Sequence, residues 1–209
     1  MKNLLIDTDP GMDDALAIAL AHKSSALDIR AITAVTGNLP SDRTSANALK
    51  VLDLLGAPAI PVAQGPTLPL SGDYPSDPFS HGSDGLAESH FPDSARELEA
   101  RTAAQLIVDV VNEHAGDITV CALGPLTNIA QALEIDPDLP SKVSQLIIIG
   151  GSFGETPYAW SQATGDNPVS EWNIFVDPEA ARTVFHAGFD LVAVGLDVAT
   201  HPSINFRPH

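Results

Sequence analysis

Short apolar runs rich in branched residues alternate along this chain with longer stretches whose apolar residues recur at helical spacing. That alternation predicts an α/β fold, with an open, mostly parallel sheet flanked by helices. The expected strands are Leu4–Ile6, Ile29–Val35, Ile60–Ala63, Ile118–Leu123, Gln145–Ile149 and Leu191–Leu196, and Ile174–Val176 is a further strand-like run. Between them the spacing predicts helices over Asp13–His22, with Leu16, Ala19 and Leu20 as apolar positions, and over Ser41–Leu55, with Leu49, Leu52 and Leu55 on one face. A third helix, from about Glu97 to His114, carries the stripe Ala103, Ile107, Val110 and Val111, and a fourth begins near Pro125. Gly56 is placed to stop the second helix. Asp177 is placed to cap another, with Pro178 at its first position. The segment Gln64–Pro92 is dense in Gly, Pro, Ser and Asp and reads as a functional loop rather than a linker. With no internal repeat, residues 1–209 are expected to form a single domain.

Composition narrows the classes. At 44% hydrophobic and 18% charged residues the chain is a packed one, long enough to bury about 70% of its unfolded surface. Ten Lys and Arg against 27 Asp and Glu leave a net charge of −17, and the cations form no cluster. A nucleic-acid partner, which needs a concentrated basic face, is not expected. No apolar run approaches the length of a membrane span. The N-terminus turns acidic at Asp7, too early for a signal peptide. The single cysteine, Cys121, excludes an intramolecular disulfide or a thiolate-rich metal site and points to the cytoplasm.

In open parallel sheets ligands bind beyond the carboxyl ends of the strands. Here those ends lead into Asp7 and Asp9, Thr36-Gly37-Asn38, Leu123-Gly124, Gly150-Gly151 and Asp197. The first is the richest, because Asp7, Asp9, Asp13 and Asp14 put four carboxylates into eight residues. One helix start needs one cap, and four mutually repelling charges are costly without a cation or a hydrogen-bond network. Hard oxygen donors without thiolates indicate Ca²⁺ or Mg²⁺ rather than zinc. Asp166–Asn173 reads on polarity alone as a surface loop. His81, just before Gly82 in the Gln64–Pro92 loop, is solvated or meets a substrate.

The stretch Asp7-Thr8-Asp9-Pro10-Gly11-Met12-Asp13-Asp14-Ala15 resembles the signature of the calcium-dependent nucleoside hydrolases, which cleave the N-glycosidic bond of nucleosides. Further matches run in family order through Val35-Thr36-Gly37-Asn38, His81-Gly82 with Asp84-Gly85-Leu86, Leu123-Gly124-Pro125-Leu126-Thr127-Asn128, Gly150-Gly151, and Glu171-Trp172-Asn173 to Asp177-Pro178-Glu179-Ala180. The resemblance implies a Rossmann-like sheet and a nucleoside substrate met in base salvage, with Ca²⁺ as cofactor and a dimeric or tetrameric homo-oligomer. It implies Asp9 as calcium ligand and general base, and Asp14 and the Leu123 carbonyl as further ligands. Asp13, Asn38, Asn167, Glu171 and Asn173 would hold the ribose hydroxyls and His81 would meet substrate, while Asp7 would support the turn. Met12, Ala15 and Ile18 are expected to pack. Asn167 sits at a spacing from Asn173 shorter than the family's. Family members also continue beyond Leu191–Leu196 to a His-Asp pair that adds a calcium ligand. This chain, ending at His209, is therefore expected to be C-terminally shortened and weaker in turnover than in binding, and to expose apolar surface.

Two other readings remain open on the residues. Leu4-Leu5-Ile6-Asp7-Thr8-Asp9 also resembles the opening of haloacid-dehalogenase-like phosphatases, with Asp7 as nucleophile, Asp9 as acid and magnesium as the metal. That reading needs a lysine after a later strand, whereas Lys142 precedes one. A nucleoside-binding module without turnover is the non-enzymatic alternative.

Overall fold

A computed structural model of the chain describes residues 1–75, 80–154 and 170–201. Six strands, β1 (Lys2–Thr8), β2 (Leu27–Ala34), β3 (Val62–Gln64), β4 (Ile118–Ala122), β5 (Gln145–Ile149) and β6 (Leu191–Val194), form one sheet in the order β3-β2-β1-β4-β5-β6. Every neighbouring pair is parallel. The helices among the described residues are α1 (Met12–Lys23), α2 (Ser41–Leu54), α3 (Ala103–Glu113), α4 (Thr127–Ile135), α5 (Leu139–Lys142), α6 (Trp172–Val176), α7 (Pro178–Phe185) and α8 (Leu196–Ala199).

The pleat sends successive side chains to opposite faces, so the sheet builds two cores. Leu5, Ala31, Val120, Ala122, Leu146 and Ile148 pack with α3, α4 and α7. Leu4, Ile6, Ile32 and Val62 pack with Ile18 of α1 and Leu49 and Leu52 of α2. A bulge interrupts the β1–β2 ladder: Leu4 pairs with Ile29 and Leu5 with Ala31, leaving Arg30 unpaired. Its guanidinium bonds the Asn3 side chain at 2.7 Å and Asp28 at 3.0 Å.

Most expected elements are present, and their ends have visible causes. Gly56 follows α2 with φ of 60°, a left-handed conformation in which glycine has no Cβ to strain. Asp177 caps α7 by accepting the Ala180 N–H. Four local expectations are corrected. The buried positions of α1 are Asp14, Ile18 and Ala21, while Leu16 and Leu20 are 71% and 74% exposed and Met12 faces solvent. This helix carries apolar residues on every side, so periodicity selects no face. Ile174–Val176 is helical, because the Glu171 carboxylate accepts the N–H groups of Asn173 and Ile174 and starts a turn there. The third helix starts only at Ala103, where Thr102 accepts the Gln105 N–H. The last strand ends at Val194, since Gly195 opens α8 and draws Leu196 into it.

Candidate active site

The parallel register brings the ends of β1, β2, β4, β5 and β6 to one edge. Strand order reverses between β1 and β4, and connections leaving in opposite directions open a crevice there. Asp9 leaves β1 into that crevice and Leu123 leaves β4. The expected rim of Asp7, Asp9, Asn38, Leu123 and Gly150 therefore lies along one side of the sheet.

Asp9 is almost wholly buried. Its Oδ2 accepts the Asn38 N–H at 2.7 Å, whereas its Oδ1 is buried with no hydrogen-bond partner. Two glycine backbones press on this carboxylate. A Cβ on Gly37 would fall 2.1 Å from Oδ2, and one on Gly124 would fall 2.6 Å from Oδ1. The Asn38 side-chain amide donates to the Asp9 carbonyl (3.1 Å) and to Asp14 Oδ2 (3.3 Å). Asp14, also buried, accepts from the Thr8 hydroxyl on Oδ1 and from the Gly11 N–H on Oδ2, the latter at 3.0 Å. A Cβ on Gly11 would fall 2.6 Å from the His81 ring and 2.8 Å from the Asn38 amide, so a side chain here would have to push both aside.

Electrostatics follow from that burial. Desolvation, then the Asp14 charge, hold the Asp9 pKa well above the ordinary carboxylate range. Desolvation, then Asp13, raise Asp14 to about 6. Asp7 is pushed up to about 7 by burial, against the hydrogen bonds of Asn128 (2.8 Å) and Thr33 (2.6 Å) on its Oδ1. Three buried acids, with Asp7 Oδ2 and Asp9 Oδ1 both unsatisfied, are a concentration of acidic groups that a cation would relieve. With carboxylate and carbonyl oxygens as donors, Asp9, Asp14 and the Leu123 carbonyl fit a hard divalent ion.

Asp13 and Asp14 diverge, as the roughly 100° step of a helix requires. The Asp13 side chain is 77% exposed and its Oδ1 lies 3.7 Å from His81 Nδ1. His81 Nδ1 accepts the Met12 N–H at 3.2 Å, which leaves Nε2 to point its proton away from the turn. Asn47 joins the loop of His81 to the acidic turn by donating to the carbonyls of Pro10 (3.2 Å) and Asp84 (2.9 Å).

On the other side of the crevice, both Glu171 oxygens meet backbone. Oε1 accepts the Asn173 N–H (2.9 Å), and Oε2 accepts those of Ile174 (3.1 Å) and Gly151 (3.0 Å). Burial still leaves its pKa raised. The Asn173 amide donates to the Leu123 and Ile149 carbonyls, both at 3.0 Å, and so ties the ends of β4 and β5. Asn167 lies outside the described residues. Sequence reasoning did not single out Asn47, Asn128 or the wider bonding of Asp177; Asn128 lies inside a quoted motif, and the other two reveal themselves only through long-range contacts.

The phosphatase alternative loses its geometry. Lys142 ends α5 ahead of β5, at the opposite edge of the sheet, and bonds Asp136. Asp7 is fully buried, with Thr33 and Asn128 on Oδ1 and Oδ2 without a hydrogen-bond partner. Among the described residues, the acids and histidine whose ligand atoms gather within 4.8 Å of one another are Asp84, Glu88 and His90 on the long loop, half-buried or exposed.

Fold and site together define an α/β protein with a buried acidic crevice at the switch point of a parallel sheet. The sequence profile of the inosine-uridine preferring nucleoside hydrolases matches residues 4–208, and the chain belongs to that family. It is 39% identical over 200 residues to uridine nucleosidase 1 of Arabidopsis thaliana, an alignment covering 95% of this chain and 57% of that protein. Among solved structures, a plant nucleoside hydrolase superposes with a TM-score of 0.86 at 41% identity, over 94% of this chain and 60% of that one. A purine-preferring ribonucleoside hydrolase from Gardnerella vaginalis gives 0.83 at 33%, over 94% and 61%. The chain thus spans about three-fifths of the length of these relatives. No helix among the described residues is long and apolar enough to cross a membrane.

Proposed function

We propose that this chain hydrolyses the N-glycosidic bond of ribonucleosides, releasing free base and ribose, with Asp9 as general base. The observation that carries the reading is the buried, unpartnered Oδ1 of Asp9, flanked by Gly37 and Gly124. Calcium, held by Asp9, Asp14 and the Leu123 carbonyl, would lower the pKa of a water and grip ribose hydroxyls. Asp9 Oδ1 takes the proton of the attacking water while Asn38, bonded to Oδ2, keeps the carboxylate from turning. Positive charge that grows on the sugar as the bond lengthens is stabilised by the surrounding carboxylates. Asp13, exposed at the mouth of the crevice, takes a ribose hydroxyl together with Asn38, Asn167, Glu171 and Asn173. Glu171, whose oxygens both hold backbone N–H groups, does so from a fixed pose. His81 meets substrate from the long loop with its Nε2 proton.

The same reading makes the chain one domain, acting as a homo-oligomer on a small-molecule nucleoside in the cytoplasm. The test is release of free base from a panel of purine and pyrimidine nucleosides, with calcium and with chelator. Calcium-dependent release is the expected result. Ribose or nucleoside binding without release would instead identify a binding module, and neither would refute the reading.

A further inference from the structure

Asp177 does more than cap a helix. It is fully buried, and capping occupies only its Oδ1, which accepts the Ala180 N–H at 3.1 Å. Its Oδ2 reaches two distant segments, accepting the Leu70 N–H at 2.7 Å and the Thr127 hydroxyl at 2.6 Å. Beside it the Ser71 hydroxyl donates to the Val176 carbonyl at 3.2 Å. Leu70 and the three residues after it are exposed. This stretch has little apolar burial to place it, so these polar bonds set its position.

Both arms of the hub lead to the crevice. Along the loop, the Tyr74 hydroxyl donates to the Asn38 carbonyl at 3.0 Å, and the Asn38 N–H holds Asp9 Oδ2 at 2.7 Å. Along the other arm, Thr127 opens α4 directly after the turn from Leu123, and Asn128 beside it holds Asp7 at 2.8 Å. A serine or threonine would cap α7 as well as aspartate does. Only a carboxylate has the acceptors to cap and to hold both other segments.

We propose that Asp177 is a positioning residue for Asp9, seating Leu70–Tyr74 so that the Tyr74 hydroxyl, on the Asn38 carbonyl, fixes the Asn38 backbone whose N–H holds the general base. The step to catalysis rests on the reading of Asp9 given above; the step to Asn38 does not.

Two variants separate positioning from simple stability. Asp177→Ser keeps the α7 cap but cannot span to Leu70, and Tyr74→Phe removes a single hydroxyl. Amide hydrogen exchange of Asn38 in the 209-residue chain should accelerate about tenfold in each, with exchange in α7 unchanged in Tyr74→Phe. Where the wild-type chain releases base, both variants should lower kcat about three- to tenfold with KM within about twofold, the pattern of a misplaced catalytic group. Asn38 exchange unchanged in both variants would overturn the proposal. If Asp177→Ser does not fold, Tyr74→Phe still decides it. A wild-type chain that releases no base would refute the hydrolase reading, while Asn38 exchange would still decide the positioning.

Discussion

Two acidic groups lie close together in this molecule, and they solve the problem of charge in opposite ways. In the loop at Asp84, Oδ1 accepts the N–H groups of Leu86 (2.8 Å) and Glu88 (2.9 Å) and Oδ2 that of His90 (3.2 Å). Glu88 in turn takes the N–H and hydroxyl of Ser83. Ala87, Glu88 and His90 all hold positive φ, a conformation costly for residues with a Cβ, and the Asp84 carboxylate binds the amides that keep them there. In the turn at Asp9, one carboxylate oxygen is buried and bare. The difference teaches that the number of acids does not mark a cation site. At Asp84 both oxygens are spent on backbone amides and fold the loop, whereas Asp9 keeps one buried oxygen unspent beside Asp14, whose own oxygens are held by Thr8, Gly11 and Asn38.

The largest expected effect separates the two at once. Asp9→Asn should lower base release by about a thousandfold, in the range of general-base contributions, whereas Asp84→Asn should cost less than about tenfold. Steady-state assay of both variants checks this. Next is Gly37→Ala, whose Cβ would lie 2.1 Å from Asp9 Oδ2. Forcing an atom into that wall should destabilise the fold by about 1–3 kcal/mol, measured by urea unfolding, and displace Asp9.

The two groups should also titrate in opposite directions. Burial pushes Asp7 up to about 7. Burial acts upward on Asp84 too, but its backbone donors outweigh it and hold that carboxyl below the ordinary range. Asp7 therefore contributes its full stability below the ordinary carboxylate pKa near 3.9 and loses it as pH rises toward 7. Asp84 contributes above that ordinary value and loses its contribution as pH falls through its own pKa. Carboxyl NMR titration of the metal-free protein should show one resonance on each side of the ordinary range. The smallest effect is expected of Glu88→Gln, which retains an acceptor for Ser83 and should shift stability by less than about 0.5 kcal/mol.

How much of this was legible in the sequence depends on the range of the interactions. Strand runs and the polar residues behind them could be read locally, and so could the Asp177 cap, since Pro178 follows it directly. The face of α1 could not be read. Its buried side is chosen by Asp14, which turns inward to meet Thr8, Gly11 and Asn38 while Leu16 and Leu20 stay outside. Ile174–Val176 has β-forming residues, and only the Glu171 carboxylate converts it to a helical turn. Glu171 was read as a ribose contact, and the structure adds its hold on Gly151. The Asp177 hub spans 107 residues to Leu70, a separation that no local pattern encodes.

The most direct test of the central distinction is calcium calorimetry on the wild-type chain beside Asp14→Ala and Asp84→Asn. If the buried turn is the cation site, Asp14→Ala should weaken calcium binding at least tenfold, and Asp84→Asn should leave it unchanged. Calcium affinity that survives Asp14→Ala but is lost in Asp84→Asn would contradict this and move the metal to the loop.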